Sequence, residues 1–148
     1  MKLLLHIFFL FTYFLISAQG SSYNLRQGDF YYEKKEYSLA ISFYEKYVNE
    51  YAFDANVNLK LTKLYFDQFN IDLGNQTLAR LENSHLNSSF PYLVLKARSM
   101  QFLEDYKGAL KLFKLLRAKK PSVYLDQKVD ECQRGVELSK RGMKMSKF

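Results

Sequence analysis

The feature that most constrains this chain is a self-similarity with a period of 34 to 35 residues. Gly28, Tyr31, Tyr37, Ala40 and Tyr44 are followed 34 residues later by Thr62, Tyr65, Ile71, Gly74 and Leu78. A further 35 residues on stand Ala97, Met100, Tyr106, Ala109 and Phe113. Small residues recur where small ones stood, and large apolar ones where large ones stood. A period of this length marks stacked supersecondary units, none of which buries its apolar face alone. Within one unit, Tyr37, Ala40, Ile41 and Tyr44 fall at helical spacing, after the charged turn Lys34-Lys35-Glu36.

Composition points the same way. Only 6 Gly and 2 Pro interrupt 148 residues, too few punctuators for a many-turned β fold, and 48% apolar residues suit an ordinary packed core. The spacing predicts helices over about 22–34, 37–51, 55–69, 71–84, 90–103, 106–118 and 122–140. In the last of these, Leu125, Val129, Cys132, Val136 and Ser139 form one stripe with charged residues elsewhere, as expected of a solvating end helix, and Ser122 is a candidate N-cap.

These residues resemble the signature of the tetratricopeptide repeat (TPR) family. That signature has a small residue in the first helix, an aromatic three later, an aromatic opening the second helix, Ala three further on, an aromatic four beyond, and Pro near the end. The first copy carries Gly28, Tyr31, Tyr37, Ala40 and Tyr44, with Ala52 in place of the proline; the third carries Ala97, Met100, Tyr106, Ala109, Phe113 and Pro121. The resemblance implies an all-α, right-handed α-solenoid of about three hairpins plus a C-terminal capping helix. The expected boundaries are about 21–54, 55–88 and 89–121 for the repeats, 122–140 for the cap and 141–148 for a basic tail.

The first twenty residues read as an address. Met1-Lys2 is a short positive start, Leu3 to Ile16 is almost purely apolar, and Ala18-Gln19-Gly20 offers the small residues a signal peptidase reads. The apolar run is shorter than the roughly 20 residues a spanning helix needs, so a cleaved signal peptide over 1–20 is expected, with no transmembrane span after cleavage. One cysteine, Cys132, allows no intrachain disulfide, which suits a bacterial periplasm better than a disulfide-built secreted fold.

No residue constellation points to catalysis. Past residue 20 the single histidine, His85, and the single cysteine are far apart in sequence, without metal-ligand spacing, and no phosphate-cradling glycine loop or nucleophile elbow is present. No enzyme activity, metal or cofactor is therefore expected. The net charge of +7 has no nucleic-acid-binding motif beside it, so no nucleic-acid partner is expected. Lys107, Lys111 and Lys114 share one helix face, followed by Arg117, Lys119 and Lys120; this is either a solvated face or a contact for an acidic or anionic envelope component.

The TPR resemblance implies a concave face lined by the first helix of each hairpin. Leu25, Asp29, Tyr32 and Glu33 of copy one fall there, with Leu59, Lys63, Phe66 and Asp67 of copy two and Val94, Arg98, Gln101 and Phe102 of copy three. Tyr32, Phe66 and Phe102 form either an aromatic ladder for anchoring a peptide or helix, or packing between repeats. Chaperone-docking members carry a carboxylate clamp; the matching positions here, Ser22, Arg26, Asn56, Lys60, Pro91 and Leu95, supply only two of its basic residues. The signal ending in Ser17-Ala18-Gln19, the hairpins, and Cys132-Gln133-Arg134-Gly135-Val136-Glu137-Leu138 also resemble the N-terminal repeat region of Bacteroidetes envelope proteins of the outer-membrane-protein-A-like type. The expected function is a non-enzymatic adaptor that binds a protein or peptide in the bacterial cell envelope, periplasmic or outer-membrane associated. The alternative is a structural N-terminal module or fragment of a larger outer-membrane or peptidoglycan-associated assembly. Neither reading sets an oligomeric state.

Overall fold

A computed structural model describes residues 23–51 and 53–142. The signal peptide expected over 1–20 and residues 143–148 of the expected tail lie outside the described residues. The described residues form seven helices and no strands: α1 (23–33), α2 (Tyr37–Glu50), α3 (Ala55–Asp67), α4 (Ile71–Leu81), α5 (Phe90–Phe102), α6 (Tyr106–Lys119) and α7 (Val123–Lys140). This is the all-α class of paired helices that the repeat implies. Two compact units divide the chain, Met1–Val57 and Asn58–Phe148, and α3 begins in the first and continues into the second.

Three turns carry the period. Each first helix ends with a residue in the left-handed region, Lys35 (φ 62°), Phe69 (φ 57°) and Glu104 (φ 64°). In each case the next amide reaches back five residues: Glu36 to the carbonyl of Tyr31 (2.9 Å), Asn70 to Tyr65 (2.8 Å) and Asp105 to Met100 (2.9 Å). The left-handed residue itself donates to the carbonyl three back, Tyr32, Phe66 and Gln101 respectively. This paired pattern satisfies the orphan carbonyls of a helix end and reverses the chain within three residues. It also explains why α3 stops at Asp67 rather than continuing to 69. Helix α4 ends at Leu81, short of the expected 84, where the chain enters consecutive turns: Ser84 donates to Leu81, Asn87 to Ser84 and Ser89 to Leu86.

In the first unit, α1 and α2 run antiparallel, with Asn24 Nδ2 donating to Glu50 Oε2 at one end (3.0 Å). Close approach is set by Gly28: a Cβ there would stand 2.5 Å from the Tyr44 ring, and Tyr44 is fully buried. Ala40 beside it is fully buried too. Asp54 starts α3 by accepting from the amides of Asn56 (2.9 Å) and Val57 (3.1 Å), which is N-cap geometry.

In the second unit, each helix from α4 onward packs on the next. Gly74 of α4 lies against the Phe66 ring of α3, and Gly135 of α7 against the Tyr106 ring of α6. The core gathers Ala97, Ala109, Phe113, Leu116, Leu125, Val129 and Cys132. Ser89, Asn70, Asp105 and Ser122 cap α5, α4, α6 and α7 through their side-chain oxygens. The buried stripe of α7 is Leu125, Val129, Cys132 and Gly135; Val136 is half-buried and Ser139 exposed. The stripe turns at Gly135 because only a residue without a side chain lets Tyr106 come so close.

Candidate functional site

The first helices of the second unit, α3 and α5, share a face with α7. Its centre is Arg98. The guanidinium donates to Asp67 Oδ1 (2.7 Å) across α5 and α3, and lies over two rings, Phe66 (5.6 Å) and Phe102 (5.8 Å). Those rings touch each other at 5.3 Å between centroids. Lys63 Nζ closes the other side of Asp67 at 2.6 Å. Only 14% of the Arg98 side chain is exposed, so its charge is held largely out of water by a carboxylate and two aromatic faces.

The face continues onto α7. Gln101 Nε2 donates to Glu131 Oε2 (2.8 Å), which also accepts from Lys128 Nζ (2.7 Å). Lys128 lies over the Tyr124 ring at 5.9 Å, and Tyr124 is 40% exposed. Phe69, in the left-handed turn position, presents a largely exposed ring edge-on to Phe102 (6.4 Å).

The electrostatics follow from these contacts. Partial burial alone would raise the Asp67 pKa; hydrogen bonds from Lys63 and Arg98, and their charges, overcome this and hold the carboxyl below its ordinary value. Glu131 behaves alike: the cost of burial is outweighed by Lys128 and Gln101 and then by Arg134. Tyr124 is raised, mostly by desolvation, with Arg98 opposing and Asp67 and Glu131 adding to it. At neutral pH the face thus holds fixed charges of both signs beside exposed phenyl and phenol rings.

Of the twelve residues expected on the binding face, the structure brings together Lys63, Phe66, Asp67, Arg98, Gln101 and Phe102. Phe66 has no exposed surface. It supports Arg98 and Phe102 from below and cannot itself meet a partner without a rearrangement. Leu59 and Val94 are half-buried, Val94 against the core of the second unit. In the first unit, Leu25 is half-buried and Glu33 exposed, while Tyr32 lies 6.0 Å from Tyr37. Asp29 is turned into its own hairpin, accepting from the Tyr44 hydroxyl at 2.6 Å. That contact and burial push the Tyr44 hydroxyl far above its ordinary pKa, with desolvation the larger cause.

Tyr124, Lys128 and Glu131 were not among the expected site residues. They occupy the flank of α7 one position from the buried stripe, spaced four and three apart. A polar-aromatic stripe at that spacing beside an apolar one was the available signal. Among the described residues no group of three His, Cys, Asp or Glu is placed to hold a metal ion. Cys132 is fully buried, and desolvation pushes its thiol up to about 11, so it is a thiol at neutral pH.

No family model matches the chain, and no curated protein matches it by sequence. Among solved structures, the chain is similar to the Arabidopsis OM64 TPR domain, with a TM-score of 0.64 and 13% identity over 80% of this chain and 98% of that one. This likeness shows the fold: the chain is TPR-like, an all-α array of helical hairpins.

Proposed function

We propose that this chain is a non-enzymatic protein-interaction scaffold, and that its binding surface is the α3–α5–α7 face around Arg98. The observation that carries the reading is the Arg98 guanidinium held between Asp67 and two rings, with Phe102, Tyr124 and Lys63 at its exposed edge. A rigid cation with aromatic flanks and a charged rim is the pattern of an interface anchor. An extended or helical peptide carrying both an apolar side chain and a carboxylate fits it: rings for the first, Lys63 and Lys128 for the second. The envelope setting rests on the signal-like sequence of residues 1–20; the partner is a protein or peptide there.

The test is capture from native envelope extract with wild type and an Arg98→Ala/Phe102→Ala variant, after confirming that both remain helical. A partner held by the wild type and lost by the variant supports the scaffold. A partner retained by the variant places binding elsewhere. A second reading, a structural module within a larger assembly, is favoured by the complete burial of Phe66, which treats the ring as packing. On that reading the variant loses stability but captures whatever the wild type captures.

A further inference from the structure

The outer face of α6 is a separate surface. With 3.6 residues per turn, Lys114, Lys107, Lys111, Leu115 and Lys119 fall within an arc of about 140°. All five are exposed, and Leu115 keeps 47% of its surface in water. Among the described residues no ion pair engages any of these lysines, whereas Arg117, outside the arc, is paired with Asp126 (3.4 Å). Like charges three and four residues apart weaken a helix, so the arrangement costs stability that an acidic neighbour would have recovered. At the end of the helix Val123 is 74% exposed, close in sequence to Lys119 and Lys120. Helix α7 returns along α6, with Gly135 against Tyr106, which carries the exposed Lys140 and Arg141 toward the Lys107 end.

We infer that this face is a peripheral docking surface for an anionic lipid bilayer. Charge complementarity argues for it: unpaired lysines spread along a helix match diffuse headgroup phosphates, each lysine near an anionic surface adding about fivefold to partition. Lysines act as mobile point charges, without the planar fork used to read a single phosphate or a base edge. The exposed Leu115 and Val123 supply what a polyanion would not use, apolar side chains able to enter the headgroup boundary. Among the described residues no helix is long and apolar enough to cross a membrane, so the contact is interfacial. The lysine arc lies on α6, whose residues contribute nothing to the contacts of the Arg98 face, so this inference goes beyond the scaffold reading and does not rest on it.

The experiment is co-sedimentation of the full chain with vesicles of neutral phosphatidylcholine and of phosphatidylcholine containing phosphatidylglycerol, at low and physiological salt. Any contribution of residues 1–20 is common to every variant. Wild type is expected to partition at least tenfold better into the anionic vesicles at low salt, with the gain shrinking as salt rises. The variant Lys107→Gln/Lys111→Gln/Lys114→Gln/Lys119→Gln, checked by circular dichroism, should lose most of that gain. Leu115→Ser/Val123→Ser should reduce anionic partition by about tenfold while leaving its salt dependence in place. Equal binding to both vesicle types, or an anionic gain that survives the four-lysine variant, overturns the inference. Tighter binding to polyglutamate or duplex DNA than to anionic vesicles overturns the bilayer as occupant.

Discussion

The first and third hairpins solve one packing problem in two ways. Gly28, Asp29 and Tyr44 in the first stand 69 residues before Ala97, Arg98 and Phe113 in the third. In both, a large ring is fully buried in the groove between the hairpin's helices. In the first, the ring carries a hydroxyl, which must be satisfied when buried, and the adjacent Asp29 accepts from it at 2.6 Å. In the third the ring is Phe113, with nothing to satisfy. The position beside the small residue is then released from the hairpin, and Arg98 turns to Asp67 and the rings of the α3–α5 face. At the same place in the repeat, one hairpin carries a carboxylate turned to its own tyrosine and the other a cation turned to the neighbouring helix.

This contrast can be broken at several points. The largest effect is expected for Phe113→Ala, which empties the core of the second unit and should cost about 3–5 kcal/mol in chemical denaturation. Tyr44→Phe should cost less, about 1–3 kcal/mol, because the ring stays and Asp29 loses a buried donor. Arg98→Met, measured the same way, should cost on the order of 1–2 kcal/mol, since Asp67 is a third exposed and keeps Lys63 while the packing stem is retained. If Tyr44→Phe were neutral and Arg98→Met severe, the assignment of roles would be reversed.

The pH dependence sharpens the same point. Asp67 and Glu131 have folded pKa values below their unfolded ones, so their contribution to stability is complete above the ordinary carboxylate range. It is lost as pH falls through the folded values. The melting temperature should drop on that acid limb, and Arg98→Met should flatten it by returning Asp67 toward its ordinary pKa. The smallest effect concerns the turns. Glu36 opens α2 without a side-chain cap, whereas Asp105 caps α6 by accepting from the Gly108 amide (2.9 Å). Glu36→Asp should raise stability by about 0.5–1 kcal/mol, and Asp105→Ala should lower it by about 1 kcal/mol.

The helices were legible because size alternation at a fixed period is written directly in side-chain volume. The small positions Gly28 and Gly74 and the large position Tyr44 are visible once the copies are aligned, but that Gly74 receives the Phe66 ring is not. The turns were legible only as breaks in the helical pattern, charged in the first, since their left-handed residues are Lys35, Phe69 and Glu104, none of them the glycine that normally marks such a site. The site was half legible. Repeat register puts Lys63, Asp67, Arg98 and Phe102 on one helix face, but register cannot tell that Phe66 is sealed beneath Arg98 or that Asp29 answers to Tyr44. Tyr124, Lys128 and Glu131 are not legible as site residues, because the apolar stripe of α7 marks its buried side and not which flanking residues meet α5. Their role depends on contacts to Gln101 and the α5 face that sequence periodicity does not encode.

The most direct test of the Arg98 face is site-specific photocrosslinking in the cells that make the protein. A benzophenone amino acid at Tyr124, on the exposed edge of the face, is compared with one at Gln76, exposed on α4. The account predicts a defined crosslinked protein band from position 124 that disappears with Arg98→Ala, and none from position 76. Crosslinking from 76 alone, or a band from 124 indifferent to Arg98, would contradict it.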